Sequence, residues 1–371
     1  DLGAVIAGPY CGAILAGFGA DVVKIEPLEG DSFRSATAVW GSYNRGKRGL
    51  VLDLKTQAGR DLFLEMAAQA DIVLDNYRLG VRERLGIDYQ KLKALNPKLI
   101  SLSISGYGTQ GALASLPGFD PLLQAQSGLQ HAQGQEGGEP VFYQIPVNDV
   151  TTAALTAFGL IAALNARAKS GEGQEVLTSL AGTSVMAQLG EFVRYPGGPL
   201  PVKGSADCIG VSAVERFYQC TDEWIGIACK TQDHAAALGK ALGVKIGAGA
   251  LKEARDGALA DQIAAALKAI ARDEALERLT NAGVPSAPVI RIAETFEDPF
   301  LAENNHLEVY PHSALGAVKG VARFARFKGT PASYPRSAPK LGEHSVDVLR
   351  SYNISQDRID ALIEAGAVVQ T

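Results

Sequence analysis

The sequence predicts an α/β fold: a large Rossmann-like parallel-sheet domain plus a smaller α+β domain. Three observations predict it. Strand-like and helix-like segments alternate through the first half of the chain, the pattern of βα units around a parallel sheet. The strand-like segments are continuous apolar runs, as strands covered on both faces require. The length, 371 residues, exceeds what one core of ordinary size holds, so a second unit is expected.

Each element follows from its local pattern. Residues 12–18 are expected to be helical. Residues 21–26 read as a buried strand that Pro27 ends, and 49–54 as the next strand. Residues 56–70 place Leu62, Leu64, Met66 and Ala67 on one side, an amphipathic helix. A strand at 71–75, a helix at 89–95 and a strand at 99–104 come next. Residues 105–140 are rich in Gly and Gln and read as loops. Pro146 breaks the chain, and residues 150–164 form a long small-and-apolar run that predicts a buried helix. Residues 166–174 are expected to be a polar turn, 175–180 a strand, with another helix after it. Pro196-Gly197-Gly198-Pro199 marks 195–211 as a linker. Residues 217–228 predict a hairpin turning at Asp222-Glu223. Helices are expected at 233–242 and 259–280, the latter stopped at Asn281-Ala282-Gly283. Residues 296–340 read as loops and short strands, and 342–367 as helical. The large domain is thus expected at 1–190 and 311–371, the small one at 205–295, with linkers at 191–204 and 296–310.

Composition narrows the function classes. Hydrophobic residues make up 47% and charged residues 20%, an ordinary soluble globular balance. A net charge of -5 leaves no basic footprint and argues against nucleic acid as a partner. The four cysteines form no C-x-x-C pair, so reduced thiols and a cytoplasmic location are expected. The five histidines show no metal-ligand spacing, and no metal is expected. The longest apolar run is short for a membrane span and rich in Ala and Thr, so no membrane partner is expected. The chain opens on Asp1 rather than Met and is expected to start downstream of a gene start, by trimming or as part of a longer polypeptide.

Asp149 stands out, in Gln144-Ile145-Pro146-Val147-Asn148-Asp149. It reads as a lone carboxylate at the entrance of the long buried helix. Aspartate caps helices by accepting free first-turn N–H groups, and the positive helix end is expected to keep it ionised. An ionised carboxylate in a partly dry site is a usable nucleophile. From this stretch alone, a plain helix cap is the competing reading.

Several blocks together resemble one known family. They are Val5-Ile6-Ala7-Gly8-Pro9, Gly17-Phe18-Gly19-Ala20-Asp21-Val22-Val23-Lys24-Ile25-Glu26-Pro27, Asn44-Arg45-Gly46-Lys47-Arg48-Gly49, Ala70-Asp71-Ile72-Val73-Leu74-Asp75-Asn76-Tyr77-Arg78, Arg84-Leu85-Gly86, Ser105-Gly106-Tyr107-Gly108, and Gly283-Val284-Pro285 with Leu341-Gly342-Glu343-His344. In this order, over nearly the whole chain, they resemble the class III CoA-transferases, named also after carnitine CoA-transferase and bile-acid-inducible proteins and including formyl-CoA transferase. In that family one aspartate, ahead of a long Ala-rich helix and a small-Gly-x-Gly-Gln turn, is the nucleophile. The turn here is Ser170-Gly171-Glu172-Gly173-Gln174, so the resemblance implies that Asp149 attacks an acyl-CoA thioester and passes through aspartyl-anhydride and aspartyl-CoA intermediates.

The resemblance also implies contacts to coenzyme A. Val5 and Ala7 would pass along the adenosine or pantetheine, Leu52 and Lys55 would meet the adenine–ribose end, Asn76 and Tyr77 the pantetheine arm, and Arg84 with Leu85 the nucleotide phosphates. Lys55 and Arg84 suit phosphate through charge-assisted bonds; each reads equally as a surface cation, and Asn76 as a turn residue. Acyl-CoA and a carboxylic acid are implied as substrates, with no permanently bound cofactor, in an intertwined homodimer. An acceptor pocket is expected from the loops at 105–140 and 195–215; Gln144 is a candidate lining residue, and His131 reads as a surface residue.

Departures from the pattern separate the alternatives. Ile6, Pro27 and Pro117 stand where the formyl-CoA branch has glutamine and basic residues, which argues against a formyl or oxalyl substrate. The related 2-methylacyl-CoA racemases carry His before Asp where this chain has Phe119 before Asp120, and a Glu that is missing around Lys230-Thr231-Gln232. A racemase needs two opposed acid/base groups. A racemase-like enzyme, intramolecular CoA transfer within a diacid, and a non-catalytic module of a longer polypeptide remain as alternatives. A dinucleotide-dependent oxidoreductase is disfavoured, because Gly8-Pro9-Tyr10-Cys11-Gly12 is not G-x-G-x-x-G and Pro9 lacks the amide that would reach a pyrophosphate.

Overall fold

A computed structural model describes residues 1–133, 140–198 and 208–371. By contacts the chain divides into two compact units, one of Asp1–Gln130, Phe142–Val202 and Asn305–Thr371, the other of His131–Val141 and Lys203–Asn304. Residues 199–207, within the expected linker, lie outside the described residues.

The first unit is built on strands β1 (Val23–Glu26), β2 (Arg48–Leu52), β3 (Ile72–Asp75), β4 (Ile100–Ser105) and β5 (Glu175–Ser179). β1 and β2 pair in parallel, as do β3 with β4 and β4 with β5. Val368–Val369 adds an antiparallel edge to β2. Asp1 and Leu2 stitch the two ladders together. The Leu2 N–H bonds the Leu74 carbonyl at 2.8 Å, and the Ile25 N–H bonds the Asp1 carbonyl at 2.9 Å. The opening residues therefore lie between β1 and β3. From them the chain lays strands outward on one side (β1, β2) and then on the other (β3, β4, β5). In a parallel sheet, the crevice where the strand order reverses, at the carboxyl ends of the strands, is where ligands bind.

The helices of this part of the chain are α1 (Ala7–Gly17), α2 (Thr37–Asn44), α3 (Gln57–Ala67), α4 (Val81–Leu85), α5 (Tyr89–Leu95), α6 (Asp120–Gln126), α7 (Leu129–Gln133), α8 (Val147–Ser170) and α9 (Leu180–Met186); α3 packs in one core cluster, α1 and α8 in the other. The strand period of two sorts the core. Leu50 and Leu52 of β2 pack with Leu62, Phe63 and Met66 of α3 and with Leu349 and Leu362 of the C-terminal helices. Ile100, Leu102 and Ile104 of β4 pack with Ile14 and Leu15 of α1 and with Ala153, Ala157 and Leu160 of α8. Each fully buried Leu or Ile contributes roughly 1.5–3 kcal/mol, and the alanines let α8 lie close to the sheet.

Some expectations change. α8 runs on to Ser170 and is closed by Gly171 at φ +78°, so most of the expected turn at 166–174 is helix. With 24 residues it is long and apolar enough to cross a membrane by length and composition, against the expectation that the run is too short. In this fold its Ala153, Ala157, Leu160 and Ala163 are buried in the core. α6 and α7 occupy part of the expected loop at 105–140, where the apolar pattern is too short to announce them. The C-terminal helical stretch is two helices, Ser345–Ser351 and Gln356–Glu364, followed by the edge strand.

The second unit holds an antiparallel sheet of Gly210–Ser212, Glu215–Gln219, Trp224–Ala228 and Ser286–Pro288, in that order. Tyr218, Ile225 and Ile227 pack against Leu238, Ile263, Leu267 and Leu279. The helix expected at 259–280 is two helices, Ala258–Leu267 and Arg272–Asn281. The hairpin turn breaks it: Thr221 N–H bonds the Ile270 carbonyl at 3.0 Å, and the Asp222 carboxylate accepts the Arg272 N–H at 2.8 Å. That remote cap starts the second helix.

Candidate active site

A cleft of about 210 Å³ opens at the point where the strand order reverses. Ala4, Val5 and Ala7 line it from the turn that leads into α1 and from the start of that helix; Asn76, Tyr77, Arg78 and Leu79 from the loop after β3; Ile104, Ser105 and Gly106 from the end of β4. Leu116, Pro117, Gly118 and Phe119 close one side, and Asp149 of α8 completes the lining. Gly106 and Gly118 cross backbone on backbone: a Cβ on Gly106 would lie 2.7 Å from the Gly118 Cα. Only glycine allows that approach.

Asp149 is the third residue of α8, not its cap. Pro146 holds the cap position and makes no side-chain cap bond. The carboxylate that serves the first turn is that of Asp120, on α6, whose Oδ2 accepts the Asp149 N–H at 2.8 Å. Asp120 is buried and is held by Gln124, whose Nε2 donates to its Oδ1. Asp149 is therefore not a lone carboxylate. Its own oxygens accept no hydrogen bond among the described residues, which leaves their lone pairs open to the cleft.

This environment sets its protonation. Burial, and in smaller part the charge of Asp120, push the Asp149 carboxyl from 3.8 up to about 7. The helix end alone would hold it ionised, but it contributes only about 0.3–1 kcal/mol at ordinary exposure, and desolvation outweighs it. Tyr43 lies near enough to feel the same carboxylate: its hydroxyl is pushed up by burial, then by Tyr10 and Asp149.

The CoA contacts expected from the sequence fall into two sets. Val5, Ala7, Asn76 and Tyr77 share the cleft with Asp149. Leu52, Lys55, Arg84 and Leu85 are not in its lining. Leu52 is buried in the core and Leu85 packs against the same core, while Lys55 and Arg84 are exposed. Arg82, beside them, is committed elsewhere: it lies 3.5 Å from both Asp75 and Glu175 and bonds Ser101. Val5 adopts φ +65°, a conformation that is an outlier for a β-branched residue and costs of order 1–3 kcal/mol. Of the loops expected to form an acceptor pocket, residues 134–139 and 199–207 lie outside the described residues. His131 and Gln144 are exposed.

Sequence reasoning missed three residues here. Asp120 approaches Asp149 across 29 positions; its only signal was the Gly118-Phe119-Asp120 block. Among the described residues, Arg78 is the one cation in the cleft lining. Tyr43 sits on α2, which had no sequence signal. A larger cavity of about 450 Å³ lies on the second unit's sheet, lined by Ile209, Val211, Phe217 and Ile227 among others, and includes none of the predicted site residues.

Known proteins resemble this chain over most of its length. The family described as CoA-transferase family III matches residues 1–345. The chain is 32% identical to the succinate–glutarate CoA-transferase of Agrobacterium fabrum, over 94% of this chain and 93% of that one. It is 32% identical to the succinyl-CoA:mesaconate CoA-transferase of Haloarcula marismortui, with the same coverage of 94% and 93%. Among solved structures, it resembles a CAIB/BAIF family protein from Brucella suis at a TM-score of 0.84 and 28% identity, covering 95% of this chain and 97% of that one.

Proposed function

The chain belongs to CoA-transferase family III and is an enzyme of that class, and we propose that Asp149 is its nucleophile and short dicarboxylic acids its acyl groups. The observation that carries the proposal is a carboxyl whose oxygens accept no bond among the described residues, in the lining of the switch-point cleft.

The chemistry proceeds in balanced steps. The Asp149 carboxylate attacks the thioester carbonyl of an acyl-CoA, forming an acyl–aspartyl anhydride and expelling the CoA thiolate. The thiolate attacks the aspartyl carbonyl, releasing the donor acid and leaving an aspartyl-CoA thioester. The acceptor carboxylate attacks that carbonyl, giving a new anhydride and the thiolate again. The thiolate then takes the acceptor's acyl group and frees Asp149. One thioester is exchanged for another, so the reaction needs no external energy source. Covalent capture splits one hard step into easier ones.

The dicarboxylate reading draws on the relatives named for succinate, glutarate and mesaconate and on Arg78, the one cation in the cleft lining among the described residues. A guanidinium there would hold the distal carboxylate by a charge-assisted pair. Racemisation lacks support, since Phe119, not an acid or base, lines the cleft ahead of Asp120.

We further propose a homodimer in the cytoplasm, without nucleic acid or membrane as partner. The four unpaired cysteines support the setting. Large apolar side chains left exposed at Phe158, Leu177, Leu189 and Phe192 support a second copy covering them. A monomer by sedimentation at high protein concentration would refute the dimer. The catalytic proposal is tested by incubating the enzyme with succinyl-CoA and hydroxylamine, then mapping the adduct by mass spectrometry. A hydroxamate at Asp149, absent from Asp149→Ala, is expected. Turnover by the wild type with no adduct at Asp149 would overturn the mechanism.

A further inference from the structure

The turn that walls the cleft is held from two sides, by the buried Asp31 and the half-buried Asn76. The Val5 N–H donates to both oxygens of Asp31, at 3.1 and 3.3 Å. Asn76 grips the preceding residue twice: its Oδ1 accepts the Ala4 N–H at 2.7 Å and its Nδ2 donates to the Ala4 carbonyl at 2.8 Å. Because Asn76 follows β3, this pair of bonds spans the crevice from the loop after β3 to the turn ahead of α1. Gly8 fits against it, since a Cβ there would lie 3.3 Å from the Asn76 Cγ and Oδ1.

Asp31 is itself fixed. It is buried, and its N–H bonds the Glu26 Oε1 at 2.9 Å. Glu26 is clamped by Arg34 at 2.7 and 2.6 Å. Lys24 lies 3.8 Å from Asp31 and donates to the Gly3 carbonyl. A buried ion network is weak evidence for stability, because apolar residues of like volume often serve as well. What an apolar replacement could not supply is an acceptor for the N–H of a residue held at φ +65°.

We infer that Asp31 and Asn76 are positioning residues: together they clamp the Gly3–Ala4–Val5 turn with Val5 left-handed, fixing the cleft wall against which the CoA thioester lies. The amide of Asn76 is then engaged by the protein, and it acts on the ligand through the turn it holds. The inference rests on the cleft being the acyl-CoA site.

The test is a double-mutant cycle of Asp31→Ala and Val5→Gly, read by calorimetric titration with CoA and by thermal midpoint. Asp31→Ala is expected to weaken CoA binding by about tenfold, the change that about 1.4 kcal/mol produces. Glycine adopts the left-handed conformation without steric cost, so in the Val5→Gly background the same substitution should cost less than about threefold. Asp31→Asn, which keeps one acceptor and the volume, should bind CoA better than Asp31→Ala. Equal losses in both backgrounds, or a wild-type affinity for Asp31→Ala, would overturn the clamp. The thermal midpoints decide it without a ligand: valine is free to leave the strained conformation once the clamp is gone, so Val5→Gly should raise the midpoint of the wild type more than that of the Asp31→Ala protein, or of Asp31→Asn if the alanine variant does not fold. Additive midpoints would overturn the clamp. A wild type that binds no CoA while the midpoints couple would sink the reading of the cleft and leave the clamp standing.

Discussion

Replacing Asp149 with asparagine should stabilise the protein while destroying its activity, and the size of the effect follows from the site. In the folded chain the carboxyl is pushed from 3.8 to about 7, first by burial and then by Asp120. The folded state's preference for the protonated carboxyl is fully present below 3.8. It declines as pH rises and is gone once pH passes about 7. Across those roughly three pH units, at about 1.4 kcal/mol each, ionising Asp149 removes up to about 4 kcal/mol of stability. Asparagine has the same shape and never ionises. The stability difference between Asp149→Asn and wild type should therefore grow by up to about 4 kcal/mol between pH 4 and 7 and stay level above. Urea unfolding of the first unit measures this, followed by the fluorescence of buried Trp40 in a Trp224→Phe background. A difference that stays constant from pH 4 to 8 would refute the argument, because it would mean that the carboxyl titrates alike in the folded and unfolded chain.

The same carboxyl must be ionised to attack, so kcat/KM for CoA transfer should rise with pH and level off above about 7. Asp120→Asn removes the repelling charge yet keeps an oxygen to accept the Asp149 N–H, so the midpoint of that profile should move to lower pH; an unmoved midpoint would discharge Asp120 from this role. Arg78→Ala should raise KM for succinyl-CoA about tenfold or more and leave KM for butyryl-CoA nearly unchanged; equal effects on both thioesters would assign Arg78 to the coenzyme instead. Arg84→Ala should weaken CoA binding at low ionic strength and do little in high salt, as expected of an exposed cation, and unchanged affinity at low salt would remove Arg84 from the binding surface.

Much of the fold was legible because it is written in short-range periodicity. The helix Tyr89–Leu95 and the hairpin strands around Asp222-Glu223 come directly from local apolar spacing and turn residues. Asp149 was legible as a candidate through the ordered blocks that resemble the family, since an aspartate ahead of a helix is by itself ordinarily a cap. Tertiary structure decided the rest, wherever partners are remote in the chain. The bonds of Asp1 and Leu2 to Ile25 and Leu74 place the reversal of strand order beside the cleft, and no window along the sequence contains both partners. The cap from Asp222 splits one expected helix into two. Asp120 caps the turn that carries Asp149 and helps to hold its proton, and Asn76, expected at the ligand, bonds Ala4 across the crevice. Sequence patterning determines which faces are apolar, since that depends on neighbours a few residues apart. Which polar groups meet inside depends on how those faces pack, and that sets the charge on the carboxyl proposed to do the chemistry.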